Sequence, residues 1–116
     1  MDEVKKSVYQ IVGNPVCVEA DDGMKVYAVL KEFLDHNQTV SLSFLNVEML
    51  TSAFLNTAIG LLYKDYPEEI IKRYVKLEDM QPTDAELLKR VVNTAKLYYK
   101  DPERMKKSVK AILGEE

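Results

Sequence analysis

Two adjacent hydroxyls, Thr51 and Ser52, stand where an extended run, Val40-Ser41-Leu42-Ser43-Phe44-Leu45, gives way to an apolar helical one. Hydroxyls in that position have two physical uses. Either oxygen can cap the helix by accepting a bond from an amide that the first turn leaves without a partner, worth about 1 kcal/mol. Either can also carry a phosphate, which the positive end of the helix dipole tolerates and which adds about two negative charges. A third use needs no modification: the helix start at Ser52 can hold the anionic group of a small molecule or nucleotide.

The other reactive side chains do not form a catalytic set. The only histidine, His36, follows Asp35 at a polar helix end, with no second histidine or cysteine close by. Tetrahedral metal sites need several such ligands, so a surface residue compensating a helix carboxy terminus is expected and no metal. Cys17 lies in a short apolar run without a neighbouring base, which fits a small buried hydrophobe better than a nucleophile. The acidic pairs Asp21-Asp22, Glu68-Glu69 and Glu115-Glu116 fall where helix caps and surface tails occur, and Gly13 and Gly23 do not form a phosphate-cradling loop. The seven tyrosines are expected to pack one edge against the core and reach water with the hydroxyl. These residues predict a protein that is not an enzyme and carries no cofactor.

Bulk properties narrow the class further. A chain of 116 residues is the size of one domain, and 47% hydrophobic with 30% charged residues is a globular composition. A net charge of −3, with the basic pairs scattered among acids, argues against a nucleic-acid track. No apolar run reaches the ~20 residues of a membrane span, so no membrane association is expected. One cysteine cannot form an internal disulfide, and together with an amino terminus lacking an apolar signal region it points to the cytoplasm.

Several elements must position the join. Val4–Val12 and Val16–Val18 have strand character and are separated by Gly13-Asn14, which predicts an amino-terminal hairpin. Apolar residues at helical spacing from Met24 to Leu34 predict a helix over about 22–35. The strand over 39–45 puts Val40, Leu42 and Phe44 on one face and Ser41 and Ser43 on the other, where a covering helix could lie close. Asn46-Val47-Glu48 makes the turn. A helix over 52–66 follows, apolar nearly all round, and its Gly60 suggests a close approach to the sheet. Pro67 ends it and opens a short helix to about Arg73. A strand over 74–78 comes next, then a helix from Pro82 with Thr83 and Glu86 at capping-box spacing, and a final helix over 102–113. Strand–helix–strand units need crossovers, so the later strands should be parallel.

The run from Val40 to Asn56 resembles the STAS-like domain family of unknown function in bacteria. Phe54-Leu55-Asn56-Thr57-Ala58-Ile59-Gly60 and Leu87-Leu88-Lys89-Arg90-Val91-Val92 resemble its other recurrent segments, so the likeness covers about Val4 to Tyr99. It implies a STAS-like α/β fold: a mixed sheet of four to five strands, the hairpin plus parallel strands, covered by four to five helices. The whole of 1–116 would then be one domain, with the helix over 102–113 as an appendage.

STAS domains proper include the anti-sigma factor antagonists. They carry an Asp-Ser-Ser-Gly motif where the turn enters the helix, and a histidine-kinase-like ATPase phosphorylates a serine there to control which partner binds. Position by position that motif falls on Thr51-Ser52-Ala53-Phe54. The usual phosphoserine aligns with Ala53, the aspartate with Thr51, the glycine with Phe54, and a strand-end aspartate with Ser43. The resemblance therefore carries the fold and the surface position but not the switch. It implies a non-enzymatic regulatory domain that docks a protein, of the histidine-kinase-like ATPase kind, through Asn46, Glu48, Leu50, Thr51, Ser52 and Asn56. The alternative is a small-molecule or nucleotide-binding module anchored at Ser52, and a homo-oligomer is compatible with either.

Overall fold

Residues 8–12 form a helix rather than the strand that their β-branched composition predicts. In the computed structural model, which describes residues 3–100, strand β1 (Val4–Ser7) ends at Ser7, whose hydroxyl accepts a bond from the Gln10 amide at 3.2 Å. That cap starts helix α1 (Val8–Val12), and Gly13 closes it at φ 79° with its N–H bonded to the Tyr9 carbonyl at 2.8 Å. Gly13-Asn14 is thus a helix carboxy-terminal cap, not a hairpin turn, because glycine at positive φ serves either structure. Asn14 Oδ1 accepts from the Val16 amide at 2.9 Å and turns the chain into β2 (Val16–Cys17).

Helix α2 (Ala20–Asp35) begins after Glu19, with Asp21 and Asp22 in its first turn, where the dipole favours acids. Its buried stripe is Gly23, Val26, Leu30 and Leu34, whereas Met24 is 42% exposed, so the apolar face is rotated from the predicted one. The chain then forms β3 (Val40–Ser43), the two-residue β4 (Met49–Leu50), and helix α3 (Ser52–Leu55). A π-helical stretch (Asn56–Gly60) and α4 (Leu62–Asp65) continue α3, so the segment expected as one α-helix holds a π insertion. Helix α5 (Glu68–Tyr74), strand β5 (Val75–Glu78) and helix α6 (Pro82–Lys100) complete the described chain. The helix expected over 102–113 lies outside the described residues.

The strands form two separate parallel sheets among the described residues, not one mixed sheet containing a hairpin. One has the order β1-β3-β5; the other pairs β2 with β4. The rows Val4–Val40–Val75 and Lys6–Leu42–Leu77 fall on one face of the larger sheet, and Val40 and Leu42 are fully buried there. Phe54, Leu55, Leu62, Leu30, Leu88 and Val91 from the helices join them in a single core. Burying a side chain such as Phe54 or Leu62 contributes about 1.5–3 kcal/mol. On the opposite face the rows are Lys5–Ser41–Lys76 and Ser7–Ser43–Glu78. There buried Ser41 donates to the Glu78 carboxylate and Ser43 to Asp79 at 2.6 Å, while Lys5 and Lys76 remain exposed.

The close approach assigned to Gly60 occurs at Gly23 instead. A Cβ on Gly60 would meet Val91 and Ala95 at 3.7 and 3.8 Å, which is ordinary contact. One on Gly23 would lie 1.9 Å from Thr57 Oγ1 and 2.5 Å from the Phe54 carbonyl oxygen. The crossing of α2 over the helix that begins at Ser52 therefore depends on the missing side chain of Gly23.

Candidate functional site

The join is built by two chain segments lying side by side. After β3, the Val47 amide bonds to the Phe44 carbonyl at 3.1 Å, and Asn46 takes φ 70° within that turn. Asparagine tolerates this region better than most residues, which accounts for its place there. The Glu48 amide then reaches the Pro15 carbonyl at 2.8 Å, Val16 and Cys17 pair with Met49 and Leu50, and the Thr51 amide bonds to the Cys17 carbonyl at 3.3 Å. Residues 15–18 therefore run alongside 48–51.

Thr51 is the amino-terminal cap. Its backbone is extended (φ −123°, ψ 161°), and its hydroxyl accepts from the Phe54 amide at 3.3 Å while donating to the Val18 carbonyl at 2.9 Å. The Leu55 amide bonds to the Thr51 carbonyl at 3.1 Å. Of the two hydroxyls between which the sequence leaves the cap open, Thr51 carries the structural role. Ser52 is exposed, as is Ala53, the residue aligned with the usual phosphoserine. One turn on, the Thr57 hydroxyl donates to the Ala20 carbonyl at 2.9 Å, with the Phe54 carbonyl 3.1 Å away. It fastens the amino end of α2 to the start of the π-helical stretch, where the Leu61 amide reaches back to the Asn56 carbonyl at 3.0 Å.

The structure gathers Asn46, Glu48, Leu50, Thr51 and Ser52 at one corner, with Asn56 exposed one turn along. Leu50 is half-buried and packs on the core. The extended run predicted at Val16–Val18 is the strand β2, but sequence reasoning paired it in a hairpin with residues 4–12 and missed its place beside Met49 and Leu50. Val16 is 39% and Met49 56% exposed, and as register partners they form an outward apolar pair, while Cys17 points inward at 0%. A pairing of two residues with two leaves no periodicity to detect.

The electrostatics of the corner are one-sided. Segments 14–23 and 44–56 contain Glu19, Asp21, Asp22 and Glu48 and no lysine or arginine. Asp22 pairs with Lys25 at 3.1 Å; among the described residues no base pairs with the other three. Burial first, and the nearby Asp22 second, push the Cys17 thiol above its ordinary range, which keeps it in the unreactive protonated form. His36 stands at the end of α2 with Nδ1 2.7 Å from the Glu32 carbonyl, away from the corner. Among the described residues no group of three His, Cys, Asp or Glu side chains is arranged to hold a metal, and no helix is long and apolar enough to cross a membrane.

Compared with known families, residues 22–85 match the model described as a STAS-like domain of unknown function (DUF4325). The match runs from the first turn of α2, through the corner, to the first turn of α6, more than half of the 116 residues. The comparisons with curated proteins and with solved structures gave no match.

Proposed function

The chain belongs to the STAS-like domain family of unknown function, and on that premise we propose that it is a non-enzymatic regulatory domain that docks a partner protein through the corner at residues 46–56. The observation carrying this reading is that the sequence at the join builds a fixed, outward-facing surface. Thr51 spends its hydroxyl on the fold, leaving Ser52 and Ala53 exposed beside Met49. A partner of the histidine-kinase-like ATPase class is the one that the STAS likeness suggests. Docking requires only shape complementarity at the turn and the helix start. A phosphate on Ser52 would add negative charge to a corner that is already acidic and so would modulate docking rather than create it.

The alternative, a nucleotide or other anion held at the helix start, is weakened by the same charge. The two segments that meet at the helix entry carry Glu19, Asp21, Asp22 and Glu48 and no base to neutralise a phosphate. A thermal-shift screen with nucleotides separates the two readings, because a ligand of the native state raises the unfolding temperature.

The direct test is affinity capture from the native host, followed by titration of the purified captured protein. Met49→Asp at the apolar centre and Ser52→Arg beside it should each weaken binding by about tenfold or more, as the loss of a central contact does, with little change in the urea midpoint. Capture of a protein whose affinity is indifferent to both variants would overturn the assignment.

A further inference from the structure

We propose that the partner's docking face is basic around an apolar centre, and that it contacts both segments of the corner, 15–22 as well as 46–56. This rests on the docking reading above and adds the chemistry of the partner and the second half of the footprint.

The apolar centre is the outer face of the β2–β4 ribbon. Val16 and Met49 are register partners, and both stand well out of the surface at 39% and 56% exposure. Leu45, in the preceding turn, is 61% exposed. The polar surroundings come from both segments. Glu48 precedes β4, and its amide is bonded to the Pro15 carbonyl. Glu19 follows Val18, whose carbonyl receives the Thr51 hydroxyl, and immediately precedes α2. Asp21 lies in the first turn of α2, the helix end that Thr57 and Gly23 hold against the helix starting at Ser52. Helix dipoles explain why acids are stable at the start of α2, but not Glu48, and not why none of the 16 lysines and arginines of the chain falls within 14–23 or 44–56.

A surface with an apolar centre and an acidic rim selects its partner by sign. Nucleic acid and anionic membrane are repelled from it. An acidic protein surface is repelled too, whereas arginine and lysine around aliphatic side chains complement it and accelerate encounter.

The test is an NMR titration of the 15N-labelled full chain with two synthetic amphipathic helical peptides that share one aliphatic face. One carries lysine and arginine on the flanks of that face, the other glutamate. The basic peptide should shift the amides of Val16, Glu19, Glu48, Met49 and Ser52 together, and bind roughly tenfold more tightly than the acidic one. Its affinity should fall by roughly tenfold between about 0.05 and 0.5 M salt, as screening shortens the reach of the rim charges. The double variant Glu19→Gln/Glu48→Gln should remove most of that salt dependence. If both peptides bind the corner equally at all salt concentrations, the charge inference fails while the docking reading stands. If neither peptide shifts the corner, or the shifts scatter over other surfaces, both fail.

Discussion

The Thr51 hydroxyl donates to the Val18 carbonyl at 2.9 Å, across 33 residues of sequence, while accepting from the Phe54 amide at 3.3 Å. One side chain thus caps a helix and fixes the strand beside it. Thr51→Ala removes both bonds and should lower stability by about 2 kcal/mol, the upper end for a lost cap because a carbonyl partner is lost as well. Thr51→Ser should retain most of that stability. Ser52→Ala, at an exposed position without a bond of this kind, should stay within about 0.5 kcal/mol. Urea titration of the three variants decides the matter, and equal losses at Thr51 and Ser52 would mean that the cap is shared.

Gly23 and Gly60 should respond to alanine with opposite signs. A Cβ at Gly23 collides with Thr57 Oγ1 at 1.9 Å and with the Phe54 carbonyl oxygen at 2.5 Å. The second neighbour is backbone and cannot swing away. Gly23→Ala should therefore destabilise by about 3 kcal/mol, the upper end for overpacking. Gly60→Ala adds a methyl at ordinary contact distance from Val91 and Ala95 and removes the entropic penalty of glycine in a helix, so it should stabilise by up to about 1 kcal/mol. Thermal unfolding of the pair reads both signs, and a stable Gly23→Ala would contradict the described crossing.

Gly13 isolates backbone conformation from packing. Its φ is 79°, and an added Cβ would meet nothing within 4 Å. Gly13→Ala should still cost about 1–2 kcal/mol, because a left-handed backbone strains any residue with a Cβ. Gly13→Asn should cost less, since asparagine tolerates that region. If alanine is neutral in urea titration, the closure of α1 at this glycine is wrong.

These positions also mark where sequence reasoning reached and where it did not. Helices α2, α5 and α6 and strands β3 and β5 were legible because each is long enough to show a period or is bounded by a proline or a capping residue. The helix at Val8–Val12 was not. Val8, Tyr9, Ile11 and Val12 favour a strand, and a serine cap with a glycine closure overrides that preference. The β2–β4 pairing was hidden because its bonds join segments about thirty residues apart through only two residues each. The π insertion leaves no periodic trace either; its nearest sign is Thr57, whose hydroxyl turns to Ala20 rather than to water. Thr51 and Ser52 announced the corner, but that the extended run at Val16 and the acids following it lie in the segment beside them became visible only once the chain was folded.

Tyr27 gives the fold a sensitivity to alkali. Its phenol donates to the Asp65 carboxylate, bridging α2 and α4. Burial, and then that bond to Asp65, push its pKa from the ordinary 10.0 up to about 12. The folded chain therefore holds the proton more tightly than the unfolded one, and the unfolded chain sheds it first as pH rises. The stability tied to this proton is complete below pH 10 and is lost between pH 10 and about 12. Tyr63, Tyr66 and Tyr99 are shifted the same way, so the wild type should weaken across this window through several groups. Tyr27→Phe removes one of them: its urea midpoint should start lower at neutral pH and fall less steeply above pH 10. Asp65→Asn should keep the phenol but move its ionisation back toward the ordinary value, seen as an earlier rise in phenolate absorbance. Parallel pH profiles for wild type and Tyr27→Phe would show that the bridge to Asp65 does not hold the proton.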